Sequence, residues 1–172
     1  MLVLEYSENL LGTDLNKELN LIDTNVKAVH LLSKLFLKDM VKQDHGTILN
    51  VSSIASFAPG PLMAAYYASK AYVTRLTLSI DAELKKKKSK VKIHLLCPGP
   101  VDTNFNNVAG VHFSLKPLSS KYVAEYTLKQ MKKGKTMIIP GTVNKFIRVL
   151  SKIAPEGLAA KVVYKNQTKK RN

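Results

Sequence analysis

The chain has 172 residues, 45% of them apolar, with 27 Lys plus Arg against 12 Asp plus Glu and a formal net charge of +15. That apolar share supports one buried core and excludes a disordered chain. A single cysteine, Cys97, excludes an internal disulfide, and no apolar run approaches the roughly 20 residues that span a bilayer.

The first predicted element is an amphipathic helix over Leu15 to Val41, with apolar residues at Leu15, Leu19, Ile22, Val26, Val29, Leu32, Phe36 and Met40. Steps of three and four place them on one face. Asn25 falls inside it, where a side chain that competes for backbone bonds predicts a local break. His45-Gly46 is a turn, and Thr47 to Ser52 reads as a strand. After Pro59-Gly60-Pro61 a long helix covers Met63 to Lys88. The next strand is Val91 to Cys97, stopped by Pro98-Gly99. A helix over Ser120 to Lys133, a short strand over Lys135 to Pro140 and helices over Thr142 to Ile153 and Pro155 to Tyr164 complete the order. A basic tail, 165–172, follows. Strands alternating with helices predict an α/β fold with a parallel sheet.

Two short segments carry chemistry. Asn50-Val51-Ser52-Ser53 ends the first strand. Tyr66-Tyr67-Ala68-Ser69-Lys70 opens the long helix, Tyr66 standing 13 positions after Ser53. Tyr66 and Lys70 are one turn apart and share a helix face. A nearby ammonium favours the phenolate, so the spacing predicts a Tyr66 pKa below its usual value of about 10. A phenol so tuned is a general acid or base. Tyr67 does not have that spacing and is expected to pack. Pro98-Gly99-Pro100-Val101-Asp102-Thr103 stands at the end of the second strand, where open parallel sheets bind ligands.

Together these segments resemble the short-chain dehydrogenase/reductase family, with the match running from about Leu15 to Thr103. The resemblance implies a Rossmann-like doubly wound parallel sheet and an NAD(P)-dependent oxidoreductase that interconverts a carbonyl and a secondary alcohol. It implies Tyr66 as acid/base, Lys70 as its tuning partner and ribose contact, Ser53 as the group orienting the carbonyl, and Asn25 as a relay member. Pro98, Gly99, Val101 and Thr103 would join Tyr66 and Lys70 in holding the nicotinamide end of the cofactor. Residues 104–122 would form a substrate lid, whose Phe105, Val108, Val111, Phe113 and Leu115 suit an apolar substrate. The helices 15–41 and 63–88 would pair across a two-fold axis in a homodimer or tetramer.

The family also opens with a strand and a T-G-x-x-x-G-x-G turn that lays the pyrophosphate on a helix N-terminus. No two of the eight glycines in these 172 residues are close enough to form it. The chain therefore reads as one partial domain, 1–172, equivalent to the C-terminal two-thirds of the fold, with impaired cofactor binding. NAD and NADP cannot be distinguished. A non-catalytic scaffold or regulatory fragment is the alternative. The strand Thr47–Ser52 is expected to present a free parallel edge and to promote association.

The four histidines have no metal-ligand spacing, and His94 reads as a structural strand residue. No zinc-finger, RRM or basic-zipper pattern accompanies the charge, and Lys85-Lys86-Lys87-Lys88 ends a helix where cations suit the macrodipole. No nucleic-acid partner is expected. The basic amphipathic run from Lys145 to Ile153 is expected to pack on the sheet or a partner rather than lie on a membrane. No signal peptide is evident, and the expected location is cytoplasmic.

Overall fold

The computed structural model describes residues 9–103 and 116–168. Most of the expected lid, residues 104–115, and the final residues 169–172 lie outside the described residues.

The first helical stretch is continuous but not uniform. It comprises α1 (Leu15–Ile22), a π-helical turn (Asp23–Ala28) and α2 (Val29–Gln43). Asp14 caps its start, accepting from the Lys17 amide at 3.0 Å. Asp44 ends it in the left-handed region. Gly46 follows at φ +149, where a Cβ would lie 2.4 Å from Met40 Cγ. The π turn contains Asn25, where the sequence predicts a break. Such single-turn π segments are rare and collect at functional sites.

β1 (Thr47–Val51) pairs in parallel with β2 (Lys92–Leu96), Asn50 opposite Leu95, and β2 pairs in parallel with a short strand at Met137–Ile138. A second, two-residue parallel pairing joins β3 (Val101–Asp102) to β4 (Leu118–Ser119), which makes Met137–Ile138 β5 in chain order. Residues 118–122, at the end of the expected lid, are β4 and the first turn of α4 (Ser120–Lys132), the helix expected over Ser120 to Lys133. The remaining helices are α3 (Ala64–Lys86), α5 (Thr142–Ile153) and α6 (Glu156–Thr168). α6 runs past Tyr164, so the expected tail begins as helix. Buried Gln167 there donates to the Tyr67 hydroxyl at 3.3 Å.

The core follows the period-two alternation of β2. Ile93, Leu95 and Cys97 pack against Val73 and Leu84 of α3, with Val29, Leu37 and Met40 joining from the first helical stretch. Leu96 faces the other way and packs with Ile138 and with Val123 of α4. Helices thus cover both faces of the sheet, as parallel sheets require. His94 is buried in β2, its Nδ1 2.8 Å from the Lys135 carbonyl, which fits the structural role expected of it. Among the described residues β1 pairs on one side only, and Val51 is exposed.

The apolar stripe of the Lys145–Ile153 run does not pack on the sheet, one of the two ways of packing expected for it. α5 docks through Asn144 and Arg148, while Val143, Phe146, Val149, Leu150 and Ile153 stay exposed. Asn144 against Gly99 and Arg148 over Phe57 are its inward contacts, and Ile147 is half-buried.

Candidate active site

The carboxyl ends of β1 and β2 meet the first turns of α3, and the motif residues gather there. Hydrogen bonds at the end of β1 fix the arrangement. Asn50 is buried and its amide donates to Thr77 of α3 at 3.0 Å and to Ser33 of α2 at 3.3 Å. The Ser52 hydroxyl donates to the Lys70 carbonyl and contacts the Thr74 hydroxyl, both at 2.8 Å. The Ser52 amide donates to the Leu96 carbonyl at 2.8 Å. Buried polar groups satisfied in this way fix one register between strand and helix.

Ser53, next along, accepts from the Ala55 amide at 3.1 Å and so caps the short 3₁₀ turn Ile54–Phe57. Its hydroxyl lies 3.5 Å from the Pro98 carbonyl and within hydrogen-bonding reach of the Tyr66 phenol. Ser53, Pro98 and Tyr66 are therefore neighbours, drawn from the end of β1, the end of β2 and the start of α3.

Lys70 is buried, and its ammonium donates to the Val51 carbonyl at 3.3 Å. It lies 5.8 Å from the centroid of the Tyr66 ring. Asn25 is also buried. Its amide donates to the Ser69 hydroxyl at 3.3 Å, and that hydroxyl donates to the Tyr66 carbonyl at 2.7 Å. The π turn is thereby tied to the same helical turn that carries Tyr66 and Lys70. Ser69 was not evident from the sequence, although it stands inside the motif; only the fold shows that Asn25 reaches it.

The electrostatics correct one expectation. Tyr66 is not depressed: burial pushes its pKa up to about 12, with the Ser53 hydrogen bond pulling the other way. Lys70 is itself driven down to about 8, again by burial. Removing a charge from water outweighs the attraction expected between ammonium and phenolate. Tyr67 is raised too, chiefly by burial, with Gln167 opposing. It packs as expected: a Cβ on Gly60 would lie 2.0 Å from Tyr67 Cγ.

Gly99 makes the closest backbone approach in the second segment. A Cβ there would meet Asn144 Oδ1 at 2.5 Å, and Asn144 is held by its own bond to the Pro140 carbonyl at 2.7 Å. Asn144 was missed in the sequence because its partner is distant along the chain. Pro100 is buried, Val101 lies in β3, and Thr103 is exposed with its hydroxyl 3.5 Å from the Val101 carbonyl. Cys97, just before, is fully buried and unbridged, with its thiol pushed up to about 11 by burial. Among the described residues no His, Cys, Asp and Glu side chains form a metal-binding group.

This architecture and motif set define a protein class, and the sequence model of the short chain dehydrogenase family matches residues 7–111. The chain belongs to that family. It is 39% identical over 88 residues to dehydrogenase/reductase SDR family member 4 of Bos taurus, a match covering 51% of this chain and 31% of the relative. It is 33% identical over 111 residues to the very-long-chain 3-oxoacyl-CoA reductase of Anas platyrhynchos, covering 64% and 35%. The chain thus spans about a third of the length of these relatives. A short chain dehydrogenase from Burkholderia cenocepacia, solved in complex with NADP, superimposes with a TM-score of 0.76 at 23% identity, covering 94% of this chain and 66% of that one. The fold is accordingly the Rossmann type, an α/β sheet of parallel strands between helices.

Proposed function

We propose that the chain carries the catalytic half of an NAD(P)-dependent oxidoreductase that interconverts a carbonyl and a secondary alcohol. The observation that supports this reading most is the convergence of Ser53, Tyr66 and Lys70 at the carboxyl ends of parallel strands, where ligands of such sheets lie. The Tyr66 phenol is protonated at neutral pH and stands beside the Ser53 hydroxyl, so it suits a proton donor to a carbonyl oxygen that Ser53 orients. In the reverse direction the same oxygen takes the alcohol proton. Asn25 acts by positioning, through Ser69, the turn that carries Tyr66.

The residues fit the nicotinamide end of a dinucleotide. An ammonium has three N–H donors, and buried Lys70 directs one at the Val51 carbonyl, which leaves it able to hold ribose hydroxyls. Tyr66 and Lys70, with Pro98, Gly99, Val101 and Thr103, are the groups that would hold that end. When bound, the cofactor supplies or accepts the hydride. The Burkholderia cenocepacia dehydrogenase was solved in complex with NADP, which supports a nicotinamide cofactor without choosing between NAD and NADP. The pyrophosphate end has no glycine-rich turn within these 172 residues, which supports weak dinucleotide binding by this chain alone. The second reading is a non-catalytic scaffold or regulatory member.

The substrate is a small carbonyl or alcohol compound. The exposed apolar residues Leu15, Leu19 and Ile22 of α1, Leu31, Leu35 and Phe36 of α2 and Tyr72 of α3 support pairing of these helices between two copies. Among the described residues no helix is long and apolar enough to cross a membrane. The test is a ketone panel assayed with NADH and NADPH, using this chain fused behind a βαβ segment that bears T-G-x-x-x-G-x-G. Ketone-dependent oxidation of the cofactor supports the enzyme. A folded fusion that binds cofactor and reduces no ketone favours the scaffold.

A further inference from the structure

We propose that the outer face of α5 is a docking surface for an anionic lipid bilayer. The two sides of this helix differ sharply. Its inner side is fixed: Asn144 is buried against Gly99, and the Arg148 guanidinium stacks 4.5 Å from the centroid of the Phe57 ring. Its outer side carries Val143, Phe146, Leu150 and Ile153, spaced by three and four residues, with Val149 beside them. Phe146 is 62% exposed and Ile153 75%. A helix apolar on one face and docked through its other face has an unpartnered stripe.

Charge identifies the partner. With Arg148 turned inward, the exposed cations Lys145, Lys152, Lys161 and Lys165 of α5 and α6 stand against one acid, Glu156. Lys145 is held 5.3 Å over the Tyr126 ring, at the edge of the stripe, and Lys152 is exposed beside Ile153. Leu158, Val162 and Tyr164 of α6 add further exposed apolar surface. A second copy of this chain would bring another +15 against these lysines. An anionic membrane surface offers the complementary charge, and its acyl boundary accepts the apolar side chains. The two inner contacts of α5 are made by Phe57, in the turn after Ser53, and by Gly99. Docking would therefore set the motif segments one helix diameter, about 10 Å, from the lipid.

The chain has no tryptophan, so Phe146→Trp is a clean reporter on the exposed stripe. The 172-residue protein is mixed with phosphatidylcholine vesicles containing phosphatidylglycerol, or with phosphatidylcholine alone, and assayed by flotation and Trp emission. The expected result is flotation and a blue shift with anionic vesicles, reversed by salt, with neutral vesicles bound at least about tenfold more weakly. Phe146→Glu with Ile153→Glu should lose flotation at an unchanged melting temperature. Lys86→Glu with Lys87→Glu, at the exposed end of α3, should keep it. Three outcomes would overturn the proposal: no shift with anionic vesicles at low salt; a shift present without lipid alongside a dimer by light scattering; or binding lost in the Lys86/Lys87 variant and kept in the Phe146/Ile153 variant.

Discussion

The Lys70 ammonium lies 5.8 Å from the centroid of the Tyr66 ring, and burial moves the two groups in opposite directions, the phenol up to about 12 and the ammonium down to about 8. Each is driven toward its neutral form. Tyr66 therefore keeps its proton at neutral pH, as the proposed donor role requires, and loses it only as pH climbs.

In the proposed reaction, oxidation of an alcohol uses the phenolate of Tyr66. With a pKa of about 12, oxidation by the fusion protein should still be rising at pH 10, whereas carbonyl reduction uses the protonated phenol across the neutral range. Initial rates in both directions between pH 6 and 10 check this. An oxidation rate that levels off near pH 7 would show that the cofactor-bound site overrides burial.

Lys70 makes a stability prediction of opposite sign to the usual lysine. The folded pKa is about 8 and the ordinary value is 10.5. At pH 7 both states carry the proton, and burying that charge costs the fold on the order of 3 kcal/mol at most. Between pH 8 and 10.5 the folded state gives up the proton first, so stability rises with pH. Lys70→Met should melt several degrees above the parent at pH 7, with the gap closing by pH 10.5. A variant that melts lower at pH 7 would mean that the Val51 hydrogen bond outweighs desolvation.

Gly99 and Asn144 should behave as a coupled pair. A Cβ at Gly99 would sit 2.5 Å from Asn144 Oδ1, so Gly99→Ala should destabilise by about 1–3 kcal/mol. In an Asn144→Ala background the same change should cost less than half as much, because the obstructing amide is gone. Urea unfolding of the four proteins of this cycle measures the coupling. Additive effects would show that α5 does not press on the Pro98–Thr103 segment.

The elements with long, periodic patterns were legible in the sequence. Leu15 to Val41 and Met63 to Lys88 match α1 through α2 and α3 to within about two residues at each end. Asn25 stood out as a poor helix residue and lies in the π turn. The β3–β4 pairing was invisible because two-residue strands have no period. Asn144 and Ser69 gained meaning only from contacts across the fold. The direction of the Tyr66 shift was misread for the same reason: helical spacing shows that Lys70 is near but not how deeply both groups are buried. The Lys145–Ile153 run was read as packing on the sheet or on a partner, and periodicity alone does not say which of these its stripe faces.

Dinucleotide affinity of the 172-residue chain should be weak. The glycine turn would supply several backbone N–H donors to the pyrophosphate, and charge-assisted bonds of that kind are the strong ones. Titration calorimetry with NADH and NADPH should find no saturation in the micromolar range. Micromolar binding would show that other backbone groups cradle the phosphates.

The most direct measurement compares Tyr66→Phe with Tyr67→Phe in the fusion protein. The two residues are adjacent and both have raised pKa values, but only Tyr66 is within reach of the Ser53 hydroxyl, while Tyr67 packs on Gly60 and bonds Gln167. Tyr66→Phe should cut ketone reduction roughly 10²–10⁴-fold while leaving the melting temperature close to the parent's. Tyr67→Phe should retain turnover and lose some stability. Near-normal turnover in Tyr66→Phe would contradict the assignment of this phenol as the acid.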